Sequence, residues 1–310
     1  MKNGSGIEWR TLFLLFVCMI AWFAAGLMWQ TDFWWISLVV FPYTVAFHTS
    51  LQHETIHGHP TGWSWFNELL VSLPLVLLFP YRRYRALHLQ HHNDLNLTDP
   101  YEDPESYFWP ESMVVRRSWI WRTIFRWNNT LAGRLVIGPA LSIVGFVRTE
   151  ALRIWRGEPG VRLAWLLHGA GAAFVVWIVL YLFEMPLWTY LAIAVYPALS
   201  LTSLRSYAEH QAAENVGARS AIVETNVLFS LLFLNNNLHI VHHANPHVAW
   251  YDLPELYRER RRQFLAANDH TLFDGYGDIA RRFAFRVKQP VDHPFLARDS
   301  SMLVQSEQKV

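Results

Sequence analysis

The sequence predicts an all-α integral membrane fold: four spanning helices paired as two hairpins, shorter re-entrant or interfacial helices, and a helical cap on one side of the bilayer. Three observations carry this expectation. Of 310 residues, 52% are hydrophobic and only 16% charged, with sixteen Trp and twenty Phe. An ordinary soluble domain is about 25% charged, and tryptophan in this quantity fits the aromatic belts at a membrane surface. Four stretches without a charged residue, 11–31, 33–52, 163–183 and 185–204, reach the length of about 20 residues that a span needs. Within each pair the link is a single acidic residue, Asp32 or Glu184, whereas every Lys and Arg lies in the N-terminus, in 53–162 or after 204.

Taken in order, the first stretch follows Lys2 and Arg10. It is long for a cleaved leader and a second span comes at once, so an uncleaved anchor is expected. Basic residues stay on the cytoplasmic side. Both hairpin tips are therefore expected outside, with both termini and the cap (53–162 and 205–310) in the cytoplasm, as for a protein of the bacterial inner membrane. The apolar stretches 69–81, 135–147 and 225–241 are too short to span and read as re-entrant or interfacial. Residues 111–127 mix Arg with Trp, Ile and Phe at helical spacing. They read equally as a helix in the membrane interface, its arginines snorkelling to headgroups, and as an amphipathic helix packed on the cap. The polar tail with Arg258-Glu259-Arg260-Arg261-Arg262 is a solvated face, with docking of an acidic protein as the weaker alternative. No repeat or linker divides the chain, so 1–310 is expected to be one domain. The single cysteine, Cys18, excludes a disulfide framework. It also excludes thiolate-held iron–sulfur clusters, which need about four cysteines. Nothing in the composition points to a nucleic-acid partner.

Chemistry concentrates in three clusters: His53-Glu54-Thr55-Ile56-His57, His88-Leu89-Gln90-His91-His92 and His239-Ile240-Val241-His242-His243. Steps of three and four put side chains on one helix face, and imidazole is the commonest nitrogen ligand for first-row metals. The topology carries all three clusters to the same side. The first is also a literal H-E-x-x-H, the zinc-protease motif. A catalytic zinc takes three protein ligands, yet six clustered histidines lie beyond the two of the motif, and the motif falls at the end of a span. A metal transporter would need charged residues inside its spans, and the four spans have none. Outside the clusters, His48, His168, His247, His270 and His293 read as ordinary packed or surface residues, and His59, two past His57, should point away. Eight imidazoles exceed what one ion takes and suit two. Sites rich in nitrogen and poor in carboxylate, beside an apolar floor, suit iron and dioxygen chemistry on a lipid-like C–H bond; zinc cannot do redox work.

The pattern H-x-x-x-H, H-x-x-H-H, H-x-x-H-H resembles the membrane-bound fatty acid desaturases and their hydroxylase and carotenoid-ketolase relatives. Gly58, Asp99-Pro100, Asp103-Pro104, His242-His243-Ala244-Asn245-Pro246 and Trp250-Tyr251-Asp252-Leu253-Pro254 extend the likeness over roughly 40–257. Gln52-His53-Glu54-Thr55-Ile56-His57-Gly58-His59-Pro60 is similar to a bacterial subgroup that includes the dihydrorhizobitoxine desaturase, whose substrate is not a simple acyl lipid. The resemblance implies two irons with dioxygen as co-substrate, an acyl or lipid-like substrate, and electrons from a ferredoxin, rubredoxin or cytochrome b5-like donor and its reductase. It also implies a ninth ligand between span four and the third cluster, where His210 is the histidine in the right place. The expected set is His53, His57, His88, His91, His92, His210, His239, His242 and His243. Glu54, Asp94, Asp99 and Glu209 are near enough in sequence to orient these rings. Asn237, in Asn235-Asn236-Asn237, would line the cavity or hold a bound water. For this run, backbone capping is the plain alternative.

Overall fold

A computed structural model describes residues 6–92 and 97–295. In chain order the helices are α1 (Trp9–Met28), α2 (Ser37–Ile56), α3 (Ser64–Leu70), α4 (Tyr81–His92), α5 (Glu111–Val115), α6 (Trp119–Asn128), α7 (Leu131–Val136) and α8 (Gly138–Trp155). They continue as α9 (Val161–Leu182) and α10 (Leu187–Glu209). The last four are α11 (Val227–Leu232), α12 (His239–Ala244), α13 (Leu253–Ala267) and α14 (Gly275–Phe283). Two short strands, β1 (Ile222–Val223) and β2 (Leu272–Phe273), pair in parallel.

Among the described residues three helices, α1, α9 and α10, are long and apolar enough to cross a membrane, and α1 and α9 run a few residues earlier than the charge-free stretches implied. The predicted second span is α2. It has the length of α1, but its last two turns carry Gln52, His53 and Glu54, all buried. Flanked by α1 and α10, α2 is the inner helix, so its composition answers to protein packing more than to lipid.

The hairpins lock through aromatic contacts. Trp22 meets the Phe183 ring edge-on at 5.1 Å and donates its indole N–H to Tyr190 Oη at 3.0 Å. Phe41 packs against both Phe183 and Tyr190. Gly26 makes room for this knot: a Cβ there would stand 2.2 Å from Phe183 Cζ. Phe183 is fully buried and has nowhere to retreat. Gly26→Val is therefore expected to cost about 1–3 kcal/mol, the usual range for overpacking a filled core, read as a lowered thermal midpoint in detergent; an unchanged midpoint would contradict this packing.

Segment 69–81 does enter the helix bundle, but as irregular chain beyond the end of α3. Val71 and Leu75 are buried, and backbone carbonyls of the segment are taken by side chains of the surrounding helices. Gln52 Nε2 donates to Val71 O at 3.2 Å, Tyr190 Oη to Leu75 O at 2.8 Å, and His168 Nε2 bonds Leu77 O at 3.0 Å. Non-helical backbone at this depth requires such partners. The expected helix over 111–127 is two helices, α5 and α6, broken at 116–118. Stretch 135–147 forms the end of α7 and the start of α8, and 225–241 forms α11, a turn and the start of α12.

Candidate metal centre

Four pieces of chain deliver the histidines to one place. His53 sits in the last turns of α2 and His57 caps it; His88, His91 and His92 close α4; His239, His242 and His243 make up half of α12. His210 is the first residue past α10, where the chain turns extended (φ −120°, ψ 155°) and bridges to Ser220. All nine converge in two groups. One holds His53, His57, His88, His92 and His242; the other holds His91, His210, His239 and His243. Within each group, one ring nitrogen per residue lies within 4.8 Å of all the others. The second and third clusters are each split between the groups.

The rings are oriented, not merely adjacent. His88 Nδ1 bonds Glu105 Oε1 and His91 Nδ1 bonds Asp103 Oδ1, both at 2.8 Å; His210 Nδ1 bonds Arg219 O at 3.2 Å and His239 Nδ1 bonds Asn236 Oδ1 at 3.1 Å. Each of these outer partners accepts a hydrogen bond, so Nδ1 carries the N–H and, in the neutral ring, Nε2 is a bare lone pair. In the neutral rings those lone pairs face one another, His210 to His239 at 2.8 Å and His91 to His210 at 3.2 Å, and His57 Nε2 stands 3.1 Å from His88 Nε2. Converging lone pairs repel unless a cation lies among them. Two nitrogens about 2.1 Å from one ion and at right angles would be about 3.0 Å apart, so the spacing fits a first-row metal. His53 Nε2, buried without a hydrogen-bond partner, fits the same reading.

Burial, followed by the neighbouring imidazoles, holds His57 and His92 down to about 2 and His210 to about 3. These rings are therefore neutral, the form that ligates metal. At His91 burial works the same way, but Glu105 and Asp103 outweigh it and lift the group to about 9. With no cation in the group, this ring therefore takes a second proton on Nε2, the atom that would ligate.

Asp103 is the organising outer carboxylate. Besides His91 it accepts the Thr98 N–H through Oδ2 and the Glu105 N–H through Oδ1, each at 2.8 Å. Asp103→Ala is expected to weaken metal retention roughly 10–100-fold, the range for removing a partner of a ligating imidazole, measured by competition with a chelator; retention at the wild-type level would remove Asp103 from this role.

Of the other outer residues expected from the sequence, one reaches a ring and others do not. Glu209 does reach His239 Nδ1, at 3.4 Å. Glu54 does not serve the centre: it accepts the Trp250 N–H at 2.9 Å and forms a separate group with Glu8 and His59. The glutamate of H-E-x-x-H is thus turned to the N-terminal helix, away from the place of a protease base. His59 itself bonds Glu8 at 2.6 Å, outside both histidine groups. Asp99 accepts the Tyr101 N–H and shapes the turn after α4. Asn237 Nδ2 bonds Val223 O, tying α12 to β1, which is the capping alternative. Asp94 lies outside the described residues. Glu105, Asn236 and the Arg219 carbonyl were not anticipated. Glu105 directly follows the Asp103-Pro104 pair, a cue of place without a cue of role.

Against the centre lies a cavity of about 290 Å³, lined in part by Gln52, Tyr84, Leu87, Glu105 and Arg205. Gln52 and Leu87 adjoin His53 and His88 in sequence, and the Tyr84 ring is 5.7 Å from that of His88. Thr49, Ser142, Thr202, Ser203 and Ser206 line it too, beside an apolar wall of Val76, Phe79, Phe146 and Leu199.

A family model described as Fatty acid desaturase matches residues 32–275, a range that takes in every one of the nine histidines. No curated protein matches the chain.

Proposed function

The chain belongs to the fatty acid desaturase family, a family of oxidoreductases, and with its three apolar helices it is a membrane protein; from that premise we propose that it is a dioxygen-dependent di-iron desaturase. The convergence of nine imidazoles into two groups of facing ring nitrogens carries this reading. The five-histidine and four-histidine groups each hold one iron. When bound, that pair supplies the dioxygen chemistry needed to take hydrogen from an unactivated methylene. Overall, a CH2–CH2 unit, dioxygen, two electrons and two protons become a double bond and two waters.

The protein's part is positional. Glu105, Asp103, Asn236 and the Arg219 carbonyl hold protons on Nδ1 and so present Nε2 inward. Tyr84, Leu87 and Gln52 set the substrate against the rings, and the apolar wall keeps bulk water out. Electrons come from a separate ferredoxin, rubredoxin or cytochrome b5-like protein, since one cysteine cannot hold a cluster. We further read the chain as one domain in the bacterial inner membrane, with α2 as a fourth span and the termini and metal centre cytoplasmic.

The family implies an acyl or lipid substrate. A second reading, a compact metabolite bearing polar groups, is favoured by the cavity. Five Ser and Thr residues line it together with Gln52, Tyr84, Arg205 and Glu105. That fits the resemblance to the dihydrorhizobitoxine desaturase subgroup. Comparative mass spectrometry of lipids and small metabolites from cells with and without the gene tests both. A product lighter by two hydrogens supports desaturation, and its size decides the substrate class. Gain of one oxygen assigns a hydroxylase or ketolase of the same family. Purified protein holding zinc and turning over without dioxygen overturns the reading.

A further inference from the structure

Helix α6 presents three different edges. Phe125 is buried, stacked on Trp109 at 4.3 Å. Ile120 and Trp127, on a second edge, are 51% and 42% exposed. Arg122 and Arg126, one turn apart on the third, line a groove of about 490 Å³ whose opposite wall is the segment 287–292, including Lys288, Gln289 and Asp292.

The depth of this groove follows from hydrogen bonds. Asn129 O, just past α6, accepts Tyr207 Oη from the last turn of α10. A few residues later, Leu135 O and Val136 O accept from Ser200 and Tyr196, about halfway along α10. The chain therefore passes from α6 into the apolar layer, and α6 lies at the layer's rim. An apolar edge and a basic edge on one helix at that level match the two parts of a lipid.

We propose that this groove binds the headgroup of an anionic phospholipid. The phosphate sits between the Arg122 and Arg126 guanidiniums, and the acyl chains run along Ile120 and Trp127. Asp292 disfavours a doubly charged ligand and accepts from hydroxyls, so a singly charged phosphatidylglycerol-type headgroup fits better than a phosphomonoester.

Full-length protein, delipidated in neutral detergent, is titrated with phosphatidylglycerol and with phosphatidylcholine at 0.15 M salt, and bound lipid is counted by native mass spectrometry. Arg122→Gln/Arg126→Gln should bind phosphatidylglycerol roughly tenfold more weakly or worse, given the attraction of each basic residue to anionic lipid. Arg258→Gln/Arg262→Gln, which removes equal charge from the exposed face of α13, should leave binding unchanged. All these arginines are exposed, and matching thermal midpoints confirm folding. Equal losses in both variants, no loss in either, or equal binding of the two lipids by wild type each overturn the proposal. So does retained phosphatidylglycerol binding with lost binding of an acidic [2Fe–2S] ferredoxin, which would make the groove a protein-docking site.

Discussion

Replacing His91 or His242 by alanine is expected to reduce bound iron from about two per chain to about one and to lower turnover by at least about 100-fold, since removing even an outer partner of a ligand costs roughly 10–100-fold. The two substitutions should differ in degree. His242 belongs to the five-histidine group, which keeps four imidazoles without it; His91 belongs to the four-histidine group, which is left with three. His91→Ala also strands Asp103, buried and aimed at the missing ring. It should therefore lose its metal at lower chelator concentration than His242→Ala. Elemental analysis of the purified variants beside a turnover assay provides the check. Full iron and full activity in both would dismiss these residues as ligands, and loss of activity with both irons retained would recast them as substrate contacts.

The largest effect on stability is expected at Glu150. It is 1% exposed and accepts both Arg83 Nε at 2.7 Å and Arg83 Nη2 at 2.9 Å, with the Trp165 indole N–H at 3.0 Å. One carboxylate thus joins α4, α8 and α9. Glu150→Ala leaves a buried guanidinium without its counter-charge, an outcome that costs about 3–5 kcal/mol. Replacing both partners, as Arg83→Met/Glu150→Leu, removes the stranded charge and should recover most of that loss. Thermal unfolding in detergent distinguishes the cases. If the single variant is as stable as wild type, or the double is no better than the single, the pair is not what holds these helices. Because α4 carries three of the nine histidines, Glu150→Ala should also weaken metal retention without touching a ligand.

Much of this centre was legible in the residues. Eight histidines at steps of three and four pointed to a shared site before any fold was known, because helix periodicity turns that spacing into a shared face. Lys and Arg distribution sorted the apolar stretches into hairpins, because charge does not enter lipid. His210 stands alone and came from the family resemblance, its position after an apolar run making it reachable. Glu54 shows the opposite case. Its place between His53 and His57 made it look like their partner, yet the helix turn that aligns His53 with His57 rotates Glu54 away from them, to where Glu8 and Trp250 meet it.

What the sequence by itself determined is the nitrogen-rich set of groups at the centre and the membrane setting, both of which follow from residue type and short-range spacing. What only the tertiary structure decided is how the clusters divide, with each of the latter two contributing to both groups. It also decided which carboxylates hold the rings, Asp103 and Glu105 from a loop, and how large and polar the neighbouring cavity is. Those depend on the angles at which α2, α4, α10 and α12 cross and on where irregular chain returns between them. Such crossings are set by side-chain packing over the whole molecule, which no local pattern of residues encodes.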